Sequence, residues 1–275
     1  MCGLFGALTE APIGDSASRA ALDVMRRRGP DAEGLWAGEG IVLGHRRLAI
    51  LDLDARSNQP MVSGCGRYVI VFNGEIYNFR DLRRDLEADG ASFRTTSDTE
   101  VLLALYARDG ERMLPKLRGM FAFAIWDTTA RELFLARDPY GIKPLYYAQT
   151  PQGFIFASQV KALLASGWVS QELEPAGLAG FYLWGSVPEP WTLYRDVFAL
   201  PAGHWLKARA GVMASPVCWH DIRAHWRGEN ALSSQPAPAR GQENQPLQER
   251  VREAMRDSVR AHLVADVPVS VFLSG

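Results

Sequence analysis

The chain has 275 residues, which at ~150 residues per domain means about two domains or one large one. Thirty Lys and Arg against 31 Asp and Glu leave a net charge of −1, without the basic excess that binding to nucleic acid or an anionic membrane requires. Three scattered cysteines, Cys2, Cys65 and Cys218, with no CxxC or HExxH pattern, argue against a disulfide framework and a structural metal site.

No apolar run reaches the ~18 residues that span a bilayer. The opening MCGLFGALTE lacks a basic n-region, so a cytoplasmic location with reduced thiols is expected. Gly3–Leu8 reads as a buried strand. Ala17, Ala20, Ala21, Val24 and Met25 follow Asp15 and Ser16 at helical spacing, and Gly29-Pro30 ends that helix. The preceding arginines, Arg26–Arg28, suit a helix C-terminus. Strand-like runs occupy Ile41–Gly44 and Arg67–Phe72, and Phe79–Leu86 reads as a short helix.

Ser97 and Glu100 form a capping-box pattern opening a helix that turns Val101, Leu102 and Leu105 inward. Positions 120–127, 132–138, 145–148 and 153–158 are short, apolar and separated by turn residues, which predicts antiparallel hairpins. Strand-rich and helix-rich stretches together predict an α+β layering, with helices outside packed sheets. Positions 231–246 are polar and proline-rich, a linker. Beyond it, Leu247, Val251, Met255, Val259 and Leu263 recur every four residues, an amphipathic helix, and 267–275 reads as a strand apolar on both faces.

Five residues could carry chemistry, each with a plainer reading beside it. Removal of Met1 would make Cys2 the N-terminal residue, joining a thiol nucleophile to an α-amine whose ordinary pKa of about 8 suits a general base. The plainer reading is a small buried cysteine or an acylated terminus. Asn73-Gly74 is either a hairpin turn or an oxyanion hole built from an amide side chain and a backbone N–H, and both readings require a bend. Arg47 is either a surface arginine or a planar fork for a carboxylate. Asp98 is either a helix-dipole partner or the acceptor of a substrate ammonium.

Taken in order, MCGLFG, RRRGPD (26–31), HRRLAI (45–50), NGEIYN (73–78), TSDTE (96–100), GMFAFAIWD (119–127) and RDPYGIKPLYY (137–147) resemble the class II glutamine amidotransferases, most closely the glutamine-hydrolysing asparagine synthetases. PEPWTLYRDVFALPAGHWL (188–206) resembles the end of that family's glutaminase domain, and ADVPVSVFLSG (265–275) the start of its synthetase domain. Arg27, where the family often has His, Gln159, where Glu is usual, and the polar insert at 221–246 depart from the pattern.

The resemblance implies an α+β fold, a four-layer αββα N-terminal nucleophile hydrolase sandwich, followed by the first helix and strand of a truncated α/β ATP-pyrophosphatase domain. The corresponding division is 1–210 glutaminase, 211–246 connection and 247–275 synthetase start. It implies Cys2 as nucleophile, Asn73 and Gly74 as oxyanion hole, and Arg47, Ile50, Leu51, Asn73, Gly74, Glu75 and Asp98 as the glutamine pocket. Leu273, Ser274 and Gly275 match the opening of the ATP loop.

No cofactor is expected for the glutaminase half, whereas ATP and Mg2+ serve the family's second domain, which amidates aspartate. A homodimer is within the family's range, and neither nucleic acid nor membrane is expected as a partner. Two alternatives accompany this reading: a catalytically silent glutamine-binding module, and a related amidotransferase with a different acid acceptor.

Overall fold

A computed structural model describes residues 1–10, 15–210, 212–227 and 246–270, apart from the side chains of Asp15 and His225. In chain order its main elements begin with β1 (Gly3–Leu8), α1 (Asp15–Asp23), β2 (Ala32–Gly38), β3 (Ile41–Arg47), β4 (Met61–Val62), β5 (Tyr68–Ile76), α2 (Phe79–Ala88) and α3 (Asp98–Asp109). There follow β6 (Gly119–Asp127), β7 (Glu132–Arg137), β8 (Tyr146–Thr150), β9 (Gly153–Ala157), α4 (Val160–Ala165) and α5 (Pro175–Trp184). The last are β10 (Val197–Ala199), β11 (His204–Arg209), β12 (Val212–Met213), β13 (Val217–Cys218), α6 (Ile222–Trp226) and α7 (Leu247–His262).

Two antiparallel sheets stack. The first runs β10-β8-β9-β1-β3-β2 and the second β12-β11-β7-β6-β5-β4, with β13 pairing β11. Every residue of β1 is buried, because β3 and β9 flank it and both of its faces are covered. Leu4, Leu43, Val71, Ala124, Leu135 and Phe156 belong to the core between the sheets. Leu82, Leu86, Val101, Leu102 and Leu105 from α2 and α3 join Phe121 and Phe123 on the outer face of the second sheet. Ala21, Leu22 and Leu163 from α1 and α4 cover the first sheet against Phe5 and Ile155. The layering is αββα, as the motifs imply.

Several elements differ from the sequence reading. Helix α1 stops at Asp23, and residues 24–28 continue as turns that leave Val24 exposed. Arg28 does not serve a helix end: its Nε donates to the Cys2 carbonyl at 2.6 Å. Half of the capping box forms. Ser97 Oγ accepts the Glu100 N–H at 3.4 Å, but the Glu100 carboxylate turns to the Arg94 and Thr95 N–H groups and the Thr95 hydroxyl. The apolar stripe that recurs every four residues along α7 and its C-cap is not buried: Leu247, Val251, Met255, Val259 and Leu263 are all exposed.

Strand β2 and helices α4 and α5 were not anticipated. The proposed linker falls largely on residues 228–245, and the terminal strand largely on 271–275 with Leu273, Ser274 and Gly275; both lie outside the described residues.

Candidate active site

The largest correction concerns Asn73-Gly74. There is no bend. Both residues lie within β5, whose register against β6 runs unbroken from Tyr68↔Asp127 to Ile76↔Gly119. The glycine serves close approach instead, since a Cβ at position 74 would collide with the Met120 carbonyl oxygen and Phe121 Cα of β6.

Antiparallel alternation then fixes where the Gly74 N–H points. Phe121, its Cα partner, turns both backbone groups toward Asp138 on the far side. The pair is therefore a non-hydrogen-bonded one, and the Gly74 groups face the other edge of β5. Strand β4 pairs only with Val69 and Ile70, so side chains take over along the rest of that edge. Gln59 Oε1 accepts the Phe72 N–H at 2.6 Å, and Asp98 Oδ2 accepts the Ile76 N–H at 3.0 Å. The Gly74 N–H lies between these two, and there the strand edge meets a cavity.

That cavity, of about 230 Å³, is bordered by Cys2, Arg47, Ile50, Leu51, Asn73, Gly74, Glu75 and Asp98. Seven positions separated by up to 96 residues of sequence thus share one space with Cys2. Asn73 is buried, and its Nδ2 has no hydrogen-bond partner. A buried amide donor without an acceptor is costly, about 1–3 kcal/mol, and here its companion on the same wall is the Gly74 N–H. An unpartnered amide donor and a backbone N–H that border one cavity with a thiol could together receive a developing oxyanion.

Cys2 immediately precedes β1. Its Sγ lies 3.4 Å from the Leu48 N–H, which donates to it, and 3.6 Å from the Leu48 carbonyl. Burial pushes the thiol pKa up; the Leu48 N–H and the Arg47 charge only partly oppose this. At neutral pH the group is a thiol, so attack on a carbonyl needs a base. Burial pulls the chain's N-terminal amine below its ordinary value, with Arg28 and Lys143 adding to the effect. Met1 carries that amine and borders the cavity.

The charged walls arise from the remaining motifs. Arg47 ends β3 and is buried. It is no surface arginine, and its fork is already engaged. Nη1 donates to Asp54 O at 2.9 Å and Asn58 Oδ1 at 2.7 Å, and Nη2 to Leu51 O at 3.2 Å and to Asp52 O. Asp98, the first residue of α3, is buried, and desolvation raises its pKa to about 7, with the nearby Glu75 charge adding to the effect and the Ile76 N–H opposing it.

Burial likewise raises Glu75, offset in part by Lys143. RGPD meets HRRLAI directly: the Asp31 N–H donates to Arg47 O at 3.0 Å, and Asp31 Oδ2 accepts the Ala49 N–H at 2.8 Å.

Three residues escaped the sequence reading. Lys143 borders the cavity, buried, with burial lowering its pKa; its place in RDPYGIK was the available signal. Gln59 borders it too, and its Nε2 donates to Thr99 Oγ1 at 3.2 Å. His45 Nε2 lies 3.0 Å from Phe72 O and joins β3 in one sheet to β5 in the other. Burial lowers its pKa to about 4, so the ring is neutral and the nitrogen at the carbonyl carries the proton. Cys65 and Cys218 are exposed and do not border the cavity.

Known proteins resemble this chain in sequence and in fold. The glutamine amidotransferase domain family matches residues 1–219, and the asparagine synthase family matches 250–275. A Mycobacterium tuberculosis protein assigned as a glutamine-hydrolysing asparagine synthetase is 42% identical over 298 residues, covering 100% of this chain and 44% of that one. The glutamine-hydrolysing asparagine synthetase 1 of Bacillus subtilis is 38% identical over 283 residues, with 100% and 42% covered.

The chain thus spans less than half the length of these relatives. Among solved structures, the glutamine phosphoribosylpyrophosphate amidotransferase of Bacillus subtilis shares the fold at a TM-score of 0.58 and 23% identity, over 79% of this chain and 49% of that one. Among the described residues no helix is long and apolar enough to cross a membrane. Motifs, layered sheets and cavity converge on one assignment: the chain belongs to the glutamine amidotransferase domain family.

Proposed function

We propose that this chain hydrolyses glutamine to glutamate and ammonia at Cys2. The observation that carries the reading is the convergence of the Cys2 thiol, the unpartnered Asn73 amide and Gly74 on one cavity that also holds Arg47 and Asp98. With Met1 removed, the α-amine of Cys2 accepts the thiol proton as Sγ attacks the side-chain amide carbon of glutamine. The carbonyl oxygen becomes an oxyanion held by Asn73 Nδ2 and the Gly74 N–H. Collapse breaks the C–N bond, and the nitrogen leaves as ammonia with the proton the amine had taken. Water then cleaves the thioester, giving glutamate and restoring the thiol.

Asp98 and Glu75 receive the substrate ammonium. Arg47 offers its charge and remaining Nε–H to the carboxylate, and Ile50 and Leu51 wall the side chain. Ammonia is then available for an acceptor. The asparagine synthase match at 250–275 supports aspartate, with ATP and Mg2+ acting in the further domain that such relatives carry, in the cytoplasm.

The test is glutamate release from glutamine, followed enzymatically. Wild type is expected to turn over, and Cys2→Ala to lose the activity while still binding glutamine by calorimetry. Hydrolysis by Cys2→Ala would refute the mechanism.

A further inference from the structure

One residue near the cavity combines backbone strain with full use of its polar groups. Asp52 has φ of 47°, a left-handed conformation that a non-glycine residue seldom adopts and that persists where the surroundings over-determine it. They do so here. Its carbonyl accepts Arg47 Nη2. Its carboxylate accepts the Thr96 N–H at 2.7 Å and the Thr96 hydroxyl at 3.0 Å, two residues before Asp98. Its N–H donates at 2.7 Å to Asp266 Oδ2, 214 residues away in sequence. The Asp266 N–H in turn donates to Ile50 O at 2.9 Å. Asp52 therefore joins the residue facing the substrate carboxylate to the loop presenting the one that faces its ammonium, and Asp266 closes the arrangement.

We propose that Asp266 is a positioning residue of the glutamine site: its carboxylate, supplied from the segment matching the asparagine synthase family, holds the Ile50–Asp52 turn in the shape that seats Arg47 and the cavity wall. The inference rests on the glutamine-site reading above. It gives the second segment a direct hold on substrate affinity in the first. The hold extends along α7: Tyr77 Oη and His262 Nε2 lie 2.8 Å apart, and Arg118 pairs with Asp257. These contacts tie the segment to Tyr77, just past β5, and to Arg118, just before β6. Asp266 touches neither Cys2 nor the oxyanion donors, so its loss acts on binding and not on the chemical step.

The experiment compares wild type, Asp266→Ala and Asp266→Asn in the full chain. Glutamine Kd is measured by calorimetry, and KM and kcat by glutamate release. Asp266→Ala removes a charge-assisted acceptor and is expected to raise Kd and KM roughly three- to tenfold, with kcat held within about twofold and the rate of Cys2 alkylation by iodoacetamide unchanged. Asp266→Asn keeps an oxygen for the Asp52 N–H and is expected to restore near-wild-type values. Should the alanine variant fail to fold, Asp266→Glu takes its place, because the longer side chain misplaces the same acceptor.

Unchanged Kd and KM in the misplacing variant, or an equal loss in Asp266→Asn, overturns the proposal while leaving the glutaminase reading intact. A wild type that neither binds nor hydrolyses glutamine overturns both.

Discussion

The raised pKa of Asp98 sets a pH dependence for glutamine binding that can be worked out in advance. In the ligand-free site the carboxyl titrates at about 7, and the substrate ammonium selects its ionised form. If only that form binds, apparent Kd grows as 1 + 10^(7−pH). From pH 8 to pH 6 this is about a tenfold weakening, or ~1.4 kcal/mol. The α-ammonium and α-carboxylate of glutamine do not titrate in this window.

Asp98→Asn retains an oxygen for the Ile76 N–H but carries no charge. Its Kd is expected to be flat over the same range and weaker at pH 8 by about 1.5–3 kcal/mol, the scale of a hydrogen bond to a charged group. Calorimetry on the Cys2→Ala background removes turnover from the measurement. Glu75 is displaced in the same direction, so the comparison with Asp98→Asn is what assigns the slope. A wild-type Kd constant from pH 6 to 8, or an unaltered slope in Asp98→Asn, would refute the reasoning.

Three further outcomes follow from the same geometry. Asn73→Ala removes one oxyanion donor and is expected to lower kcat by about 10²–10³, with a smaller change in KM, in the glutamate assay. Gly74→Ala forces a methyl against Met120 and Phe121 backbone, which should cost about 1–3 kcal/mol and appear as a melting temperature several degrees lower.

His45 and Asp98 perturb acid stability in opposite directions. His45 has its folded pKa below the unfolded 6.5, so stability is lost as pH falls from 6.5 toward 4, by about 3 kcal/mol. Asp98 has its folded pKa above the unfolded value, so its term is lost as pH rises from 4 toward 7. In urea titrations Asp98→Asn should therefore uncover the His45 slope, and His45→Gln should remove it.

Much of the sandwich was legible because β6, β7, β8 and β9 are short apolar runs between turn residues, and α2 and α3 carry their buried leucines at helical spacing. Strand β2 was missed because AEGLWAG has no clean alternation, and none of its residues is fully buried. Cys2, Arg47 and Asp98 stood out as candidates because a terminal thiol, an arginine ending a strand and an acid opening a helix each have few roles, and all three border the cavity. Asn-Gly misled: that dipeptide ordinarily signals a turn, whereas here the glycine lets β6 approach closely. His45, Gln59 and Asp266 left no local signal, since their roles arise from contacts across 27, 13 and 214 residues. Such pairings exist only once the sheets are stacked and the second segment is in place.

The account depends most on the freed amine of the second residue. Preparations sorted by intact mass into those beginning at Met1 and those beginning at Cys2 should be assayed side by side for glutamate release. The account predicts turnover confined to the form beginning at Cys2, with the Met1 form at background because its amine sits on the wrong residue. Equal turnover by both forms would contradict it.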